Sequence, residues 1–130
     1  MAANIDTDIR AVIEQKIAEI FPTTPTAWHN VPFKPPGELW IRPIVGYGAE
    51  AAIANGYDQQ VGALVVEVFA PISQGNAAVL TAIETLKTAF YRQRISGVYF
   101  NNILAIRELT EWQNFNGKAI DFAYAATSNF

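Results

Sequence analysis

Five of the seven prolines lie in one stretch of the chain, between residues 22 and 36. Proline has no backbone N–H and a fixed φ, so a regular helix is impossible there. Trp28, Val31 and Phe33 alternate with these prolines, and aromatic side chains bury a large area when an extended backbone presents them. We therefore expect the segment Trp28–Pro36 to form a rigid clamp, either against the protein core or against a neighbouring subunit.

An alternative interpretation starts from the spacing Pro32-x-x-Pro35, which matches the pattern bound by proline-recognition domains. Ligands of that kind usually lie in exposed, disordered tails. In this chain bulky apolar residues interrupt the prolines, so a packed clamp is favoured over a proline ligand.

Two stretches of the chain have the periodicity of amphipathic helices. In the first, residues 6–21, isoleucine and valine recur at spacings of three and four until Pro22 stops the helix. The second follows Pro71 and carries its apolar stripe from Val79 to Phe90. The candidate N-caps are Asp6 or Thr7 for the first helix and Ser73 or Asn76 for the second.

Strand patterns occupy much of the remaining chain. Pro43 cannot donate to a ladder, so its strand is expected at a sheet edge or at a bulge. The stretch Val61–Ala70 is apolar on both faces and is expected at the centre of the sheet. Residues 47–60 contain turn signals and are interpreted as a long loop inside a hairpin. The predicted strands are Leu39–Val45, Val61–Ala70, Val98–Phe100, Ile103–Leu109 and Trp112–Ala125.

Two asparagine-containing pairs interrupt the last strands. Asn101-Asn102 is expected to separate two strands, and Asn116-Gly117 predicts either a tight hairpin turn or a bulge. Runs of strands beside two helices indicate an α+β fold, with a mixed, mainly antiparallel sheet and both α-helices on one face. No repeat or change in composition divides the chain, so residues 1–130 are expected to form a single domain.

The composition restricts the possible functions. The net charge of −3 argues against nucleic acid as the main partner. Only 16% of the residues are charged, against about 25% in soluble domains, so other subunits are expected to cover part of the surface. The absence of cysteine excludes thiolate catalysis and disulfides. The N-terminus has no signal-peptide pattern and no apolar run is long enough to span a membrane, so synthesis in the cytoplasm is expected.

The sequence contains no motif for a catalytic or metal site. His29 is the single histidine and has no recognisable nucleophile or orienting carboxylate near it in sequence. Asp6 and Asp8 have a spacing seen in calcium loops, but the later glycine and glutamate are missing. Gly46-Tyr47-Gly48 lacks the lysine and the following helix of a phosphate-binding loop. We therefore predict no catalytic residue, no metal ligand and no cofactor.

Seven carboxylates are scattered through the predicted strands and loops, and nothing in the sequence pattern marks any two of them as the catalytic pair of a glycosidase. Glu67 differs from the others because it lies between two valines on an apolar strand. We expect it to pair across the sheet with an arginine, either Arg42 or Arg107.

Several motifs, in this order, resemble a family of small phage and prophage tail proteins. The most specific is W-x-N-V-P-F-x-P-P at residues 28–36, followed by L-W-I-R-P at residues 39–43 and V-x-V-F-A-P at residues 66–71. A late strand from Trp112 to Tyr124 completes the resemblance, which spans nearly the whole chain. The family is that of the tail terminator proteins of long non-contractile tails. Asn116-Gly117 departs from the strand alternation expected there, which leaves the register of the last strand open.

The resemblance implies a structural protein of the virion tail, made in the host bacterial cytoplasm. It implies a ring, commonly of six copies, that caps the head-proximal end of the tail tube, ends tube polymerisation and presents a surface to head-completion proteins. The expected partners are further copies of this chain, the tail tube protein and a head-completion protein, with no membrane. We expect residues 47–60 to meet the tube or line the ring. The candidate interface residues are Trp28, Pro32, Phe33, Trp40, Arg42, Tyr47 and Tyr57.

Three alternatives remain at this stage. The protein could be another neck subunit, such as a head-closure or tail-completion protein, which would share its size and acidity. It could instead be a small enzyme or ligand-binding domain with a pocket near Trp28, His29 and Trp112. Residues 47–60 could also be a hairpin tip that has no partner.

Overall fold

The computed structural model describes residues 5–54, 57–74, 76–109 and 114–129. Within these ranges five strands form one sheet in the order β1-β2-β5-β4-β3, and neighbouring strands are antiparallel. This architecture confirms the predicted α+β class. The elements are α1 (Ile5–Ile20), β1 (Trp40–Ala54), β2 (Tyr57–Pro71), a 3-10 turn (Ile72–Gln74), α2 (Ala77–Phe90), β3 (Gln93–Ile95), β4 (Val98–Leu109) and β5 (Phe115–Asn129).

Both helices pack on the same face of the sheet. Their apolar stripes and alternate side chains of β2 and β5 form one buried cluster, which confirms the periodicity found in the sequence. Burial of each large apolar side chain of this cluster contributes about 1.5–3 kcal/mol to folding. The central members are Ile9, Ile13 and Ile17 of α1, Ile83, Leu86 and Phe90 of α2, and Leu64, Val66, Val68, Ile120 and Phe122 of the sheet.

Asn76 is confirmed as the N-cap residue of α2, and the other predicted cap positions are wrong. Asn76 occupies the N-cap position of α2, but its side chain makes no capping hydrogen bond, and Ser73 lies in the 3-10 turn before it. Helix α1 begins at Ile5, so Asp6 and Thr7 lie within its first turn. Helix α2 therefore depends on its buried stripe rather than on a side-chain cap. No helix in the described part of the chain is long and apolar enough to cross a membrane.

The interpretation of residues 47–60 as a loop is also wrong. Strand β1 continues to Ala54 and β2 begins at Tyr57, so the two strands form one long hairpin. A shift in the β1–β2 pairing between Tyr47 and Glu50 accommodates one extra residue on β1. Strand β5 pairs with β2 along its whole length. Backbone pairing with β2 thus keeps the glycine-containing strand β1 in an extended conformation.

Neither asparagine pair interrupts a strand. Asn101-Asn102 lies inside β4, where the pairing with β5 shifts between Phe100 and Asn102. Asn116-Gly117 lies inside β5 in continuous register with β2, so it is neither a tight turn nor a bulge in that pairing. A Cβ at Gly117 would lie 2.8 Å from the ring of Phe69. The ring can occupy this position because residue 117 is a glycine.

Two predictions about strand position are confirmed. Strand β1 with Pro43 is an edge strand, where the missing N–H does not break the sheet. The apolar strand β2 lies between β1 and β5. The prediction for Trp112 falls on residues outside the described ranges.

Candidate interaction surface

The Trp28–Pro36 segment is held next to the start of β1 by the residues that precede it. The backbone N–H of Ala27 donates to the carbonyl of Ile41 at 2.8 Å, and the N–H of Ile41 donates to the carbonyl of Pro25 at 3.0 Å. Beyond this short parallel bridge the chain turns at Asn30, whose φ is +59°. The segment is therefore attached to the outer edge of the sheet.

The segment contacts both faces of the sheet. Trp28 is half-buried and packs against the core between the helices and the sheet. Phe33 lies on the opposite face, here called the open face, where its ring is 5.1 Å from that of Trp40. The clamp predicted from the sequence thus packs within the subunit, around the edge of β1. Contact with a neighbouring subunit stays a prediction.

Trp40 is the centre of a second, smaller core on the open face. Its ring stacks on Phe69 at 4.4 Å and meets Phe115 edge-on at 5.9 Å, in addition to the contact with Phe33. The residue is only 1% exposed. Four aromatic rings from the clamp, β1, β2 and β5 thereby fasten these segments together.

A groove with a volume of about 460 Å³ lies between the Trp28–Pro36 segment and β1. Among the described residues, its lining contains His29 and Arg42 but no carboxylate, so none of these residues orients the imidazole as a general base requires. His29 is exposed at the groove's rim. The groove therefore presents apolar and cationic groups. The residues that characterise it are Trp28, His29, Val31, Phe33, Arg42 and Ile44.

Two ion pairs cross the open face. The Arg42 Nε donates to the Glu67 carboxylate, which selects Arg42 from the two partners considered for Glu67. Arg107 forms two hydrogen bonds to Asp121, at 3.1 Å and 3.0 Å. Asp121, through these bonds and its charge, raises the pKa of Arg107 above its ordinary value, and the charge of Glu67 adds a smaller effect. Arg107 consequently keeps its proton throughout the range in which proteins are studied.

We predict that Glu67→Gln destabilises the protein more than Asp121→Asn. Glu67 is 7% exposed, so its replacement removes a charge-assisted hydrogen bond from a buried acceptor, at a cost of about 1.5–3 kcal/mol. The Arg107 side chain is 46% exposed, and the loss of that pair should cost less than about 1 kcal/mol. Urea denaturation of both variants measures the difference. Equal losses would contradict this ranking.

The structure brings four of the predicted interface residues together around the groove. Trp28, Phe33 and Arg42 line its walls, and Trp40 lies beneath them. Pro32 is exposed beside them on the same segment. The grouping arises because the bridge to Ile41 brings the proline-rich segment to β1.

The two predicted tyrosines lie farther along the hairpin. Tyr47 is 37% exposed on β1, and the guanidinium of Arg10 lies 5.9 Å from its ring centre. Tyr57 begins β2 opposite Ala54, and its side chain falls outside the described atoms. Tyr47 is therefore not among the residues that line the groove, and no position is assigned to the Tyr57 side chain.

Sequence reasoning missed Phe69 and Phe115, whose rings support the candidate surface by packing against Trp40. Phe69 lies on β2 directly opposite Trp40, and Phe115 begins β5. The alternation of β2 was masked by apolar residues on both faces, so only the β1–β2 register identifies Phe69 as a partner of Trp40.

Comparison with known families identifies the class of this α+β protein. The family of phage tail terminator proteins matches residues 8–107. The chain belongs to this family, which makes it a structural component of a phage tail.

Solved structures share the fold. One, whose name states no function, is 24% identical, has a TM-score of 0.70, and the match covers 91% of this chain and 92% of the other. A chain of the virion of a native gene transfer agent particle is 17% identical with a TM-score of 0.60, over 93% and 94% of the two chains. At these identities the likeness concerns the fold alone. The comparison with curated proteins finds no match.

Proposed function

We propose that this protein forms a closed ring, expected to contain six copies, on the head-proximal end of the tail tube. The ring ends tube polymerisation and presents a joining surface to a head-completion protein. The family match over residues 8–107 carries this proposal. The role requires binding surfaces and no chemical reaction, so we propose that the protein is not an enzyme.

The surface of the isolated chain supports a role in assembly. Large apolar side chains are exposed on the edge strand β1 and on the part of β4 beyond its pairing with β3, including Ile44 on β1 and Leu104 and Ile106 on β4. Leu104 is 59% exposed and Val31 on the clamp is 56% exposed. Burial of such exposed apolar groups by another subunit lowers the free energy and favours association.

The groove is the proposed contact surface for a partner protein of the tail or neck. Trp28, Pro32 and Phe33 offer apolar contacts, and Arg42 offers a cation at the groove wall. Trp40 is buried and contributes by holding Phe33 in place. Large aromatic and arginine side chains commonly dominate the energy of such interfaces.

The β1–β2 hairpin is the proposed contact with the tail tube or the lining of the ring. It carries Tyr47 and Tyr57, and tyrosine is enriched in interfaces because it combines a large apolar ring with a polar group. A strand-built hairpin keeps these residues at defined positions, which lowers the entropy lost on binding compared with a loop.

Deletion of the gene in a phage or prophage that encodes it is expected to give overlong tails. Without a cap, tube subunits continue to add at the head-proximal end, so the tail-length distribution should broaden upward. Electron microscopy of negatively stained lysates measures these lengths, and the same gene supplied from a plasmid should restore normal tails. Tails of normal length beside heads that leak DNA would contradict the proposal and assign the protein to head closure.

A further inference from the structure

The charge of residues 85–107 is of one sign. This stretch includes the end of α2, β3 and most of β4, and it contains four basic residues and no carboxylate. Two of the four, one on α2 and one on β4, are matched by carboxylates inside the subunit. The other two, Arg92 and Arg94, are exposed, and no carboxylate in the described part of the chain pairs with them. Together with Tyr91 and Tyr99 they are here called the arginine patch.

Each arginine of the patch stacks on a tyrosine ring. The guanidinium of Arg92 lies 5.3 Å from the ring centre of Tyr91, and that of Arg94 lies 5.3 Å from the ring centre of Tyr99. Arg94 is directly opposite Tyr99 in the register of β3 and β4. Stacking of this kind restricts the arginine side chains without removing their charge. The patch therefore presents two preorganised cations.

The backbone at Arg92 is unfavourable for an arginine. Tyr91 has φ −62° and ψ 120°, the angles of the first central residue of a type II turn, and Arg92 follows it with φ +56°. The second central position normally holds glycine or asparagine, because a Cβ strains the left-handed conformation. The other described residues with positive φ are small, namely Asn30, Ser96 and Gly97. Strain of this kind is concentrated at functional sites.

The surroundings of the patch suit a protein ligand better than DNA. Strand β3 is the last strand of the sheet, and within the described residues no strand lies beyond it. Such an edge can pair with an extended segment of another protein. DNA carries one charge about every 1.7 Å and is bound through many phosphates, whereas the patch has two cations on a chain of net charge −3. A guanidinium matches a single carboxylate with two parallel hydrogen bonds.

We propose that the arginine patch binds an extended acidic segment of a partner protein. Arg92 and Arg94 each donate to a carboxylate of that segment, and the strained turn serves this contact by placing a guanidinium where glycine would fit with less strain. The patch lies at the edge of the sheet opposite β1 and its groove, so it is a separate surface. The contact goes beyond the proposed ring and does not depend on it.

Synthetic peptides test the ligand class. The probe is a peptide of about eight residues that alternates threonine with glutamate, and its uncharged match has glutamine in place of glutamate. Fluorescence anisotropy with the full chain, at an ionic strength of about 0.05 M, should give a dissociation constant about 10-fold lower for the glutamate peptide. Arg92→Gln and Arg94→Gln should each raise that constant by about 5-fold. Lys34→Gln removes the same charge from the exposed clamp and should leave it unchanged.

Two further variants at Arg92 test the role of the turn. Arg92→Gly and Arg92→Ala both remove the guanidinium, so both should weaken peptide binding equally. Only glycine relieves the positive φ, so the urea midpoint should be higher for Arg92→Gly than for Arg92→Ala, which reverses the order found in helices and strands. A midpoint that is no higher for Arg92→Gly would overturn the role assigned to the turn.

The remaining outcomes are equally decisive. Equal affinity of the wild-type chain for the glutamate and glutamine peptides would overturn the proposal. Tighter binding of a DNA duplex of about 20 base pairs, lost in Arg92→Gln and Arg94→Gln, would also overturn it and assign the patch to nucleic acid. A chain that forms rings without binding the glutamate peptide would overturn the patch alone. A chain that binds the peptide through both arginines but never assembles would support the patch and overturn the ring.

Discussion

Replacing Trp40 with alanine is expected to lower the free energy of unfolding by about 3–5 kcal/mol. The side chain is 1% exposed and contacts Phe33, Phe69 and Phe115 on the open face. Removing it leaves a cavity between three rings that come from distant segments and cannot all collapse into the space. Domains of this kind are stable by only about 5–15 kcal/mol, so the loss is a large fraction of the total.

Urea denaturation followed by circular dichroism measures this effect. Trp40→Phe keeps an aromatic ring and should lose less than Trp40→Ala. Val31→Ala, on the same clamp but 56% exposed, should change the free energy of unfolding by no more than about 0.5 kcal/mol. A loss below about 1 kcal/mol for Trp40→Ala would show that the aromatic cluster does not fasten the clamp to the sheet.

Gly62→Ala is expected to be the second most damaging substitution, with a loss of about 2–3 kcal/mol or more. A Cβ at this position would lie 2.2 Å from the carbonyl oxygen of Gly46 and 2.5 Å from the hydroxyl oxygen of Tyr124. That hydroxyl donates to the Gly46 carbonyl at 2.8 Å. Tyr124 on β5 thus reaches across β2 to β1, and it can do so only because residue 62 has no side chain.

The controls for Gly62→Ala separate the clash from the hydrogen bond. Tyr124→Phe should cost about 1 kcal/mol, since it removes the hydrogen bond and leaves the ring. The double variant should lose less than the sum of the two, because removal of the hydroxyl relieves part of the clash. Gly37→Ala, where no atom lies within 4 Å of the added Cβ, should be nearly neutral. Additive losses in the double variant would count against this geometry.

The helices could be predicted because their signals are local. Isoleucines at Ile9, Ile13 and Ile17 mark one face of a helix in any context, and the structure places them in the core. Pro43 likewise indicated an edge strand, because a missing N–H has the same consequence in every sheet. Residues 47–60 misled the prediction because glycine weakens a strand's own preference. The pairing of β1 with β2, and of β2 with β5, supplies the backbone bonds that keep the described part of this stretch in strand conformation.

The candidate surface could be predicted only in part. The aromatic and proline residues at positions 28–36 identified the clamp, because their packing requirement is apparent from residue type alone. Phe69 and Phe115 could not be included, since their contact with Trp40 depends on the register of three strands and on which face each side chain occupies. The choice of Arg42 rather than Arg107 for Glu67 depends on the same register.

The amino-acid sequence by itself determined the two amphipathic helices, the edge position of Pro43, the need to pack the aromatic clamp, and the family. These properties follow from residue type and short-range spacing. The tertiary structure alone decided that the clamp packs around the β1 edge and that residues 47–54 and 57–60 form strands. Those outcomes depend on which strands pair and in what register, because a one-residue shift would move every side chain of a strand to the other face.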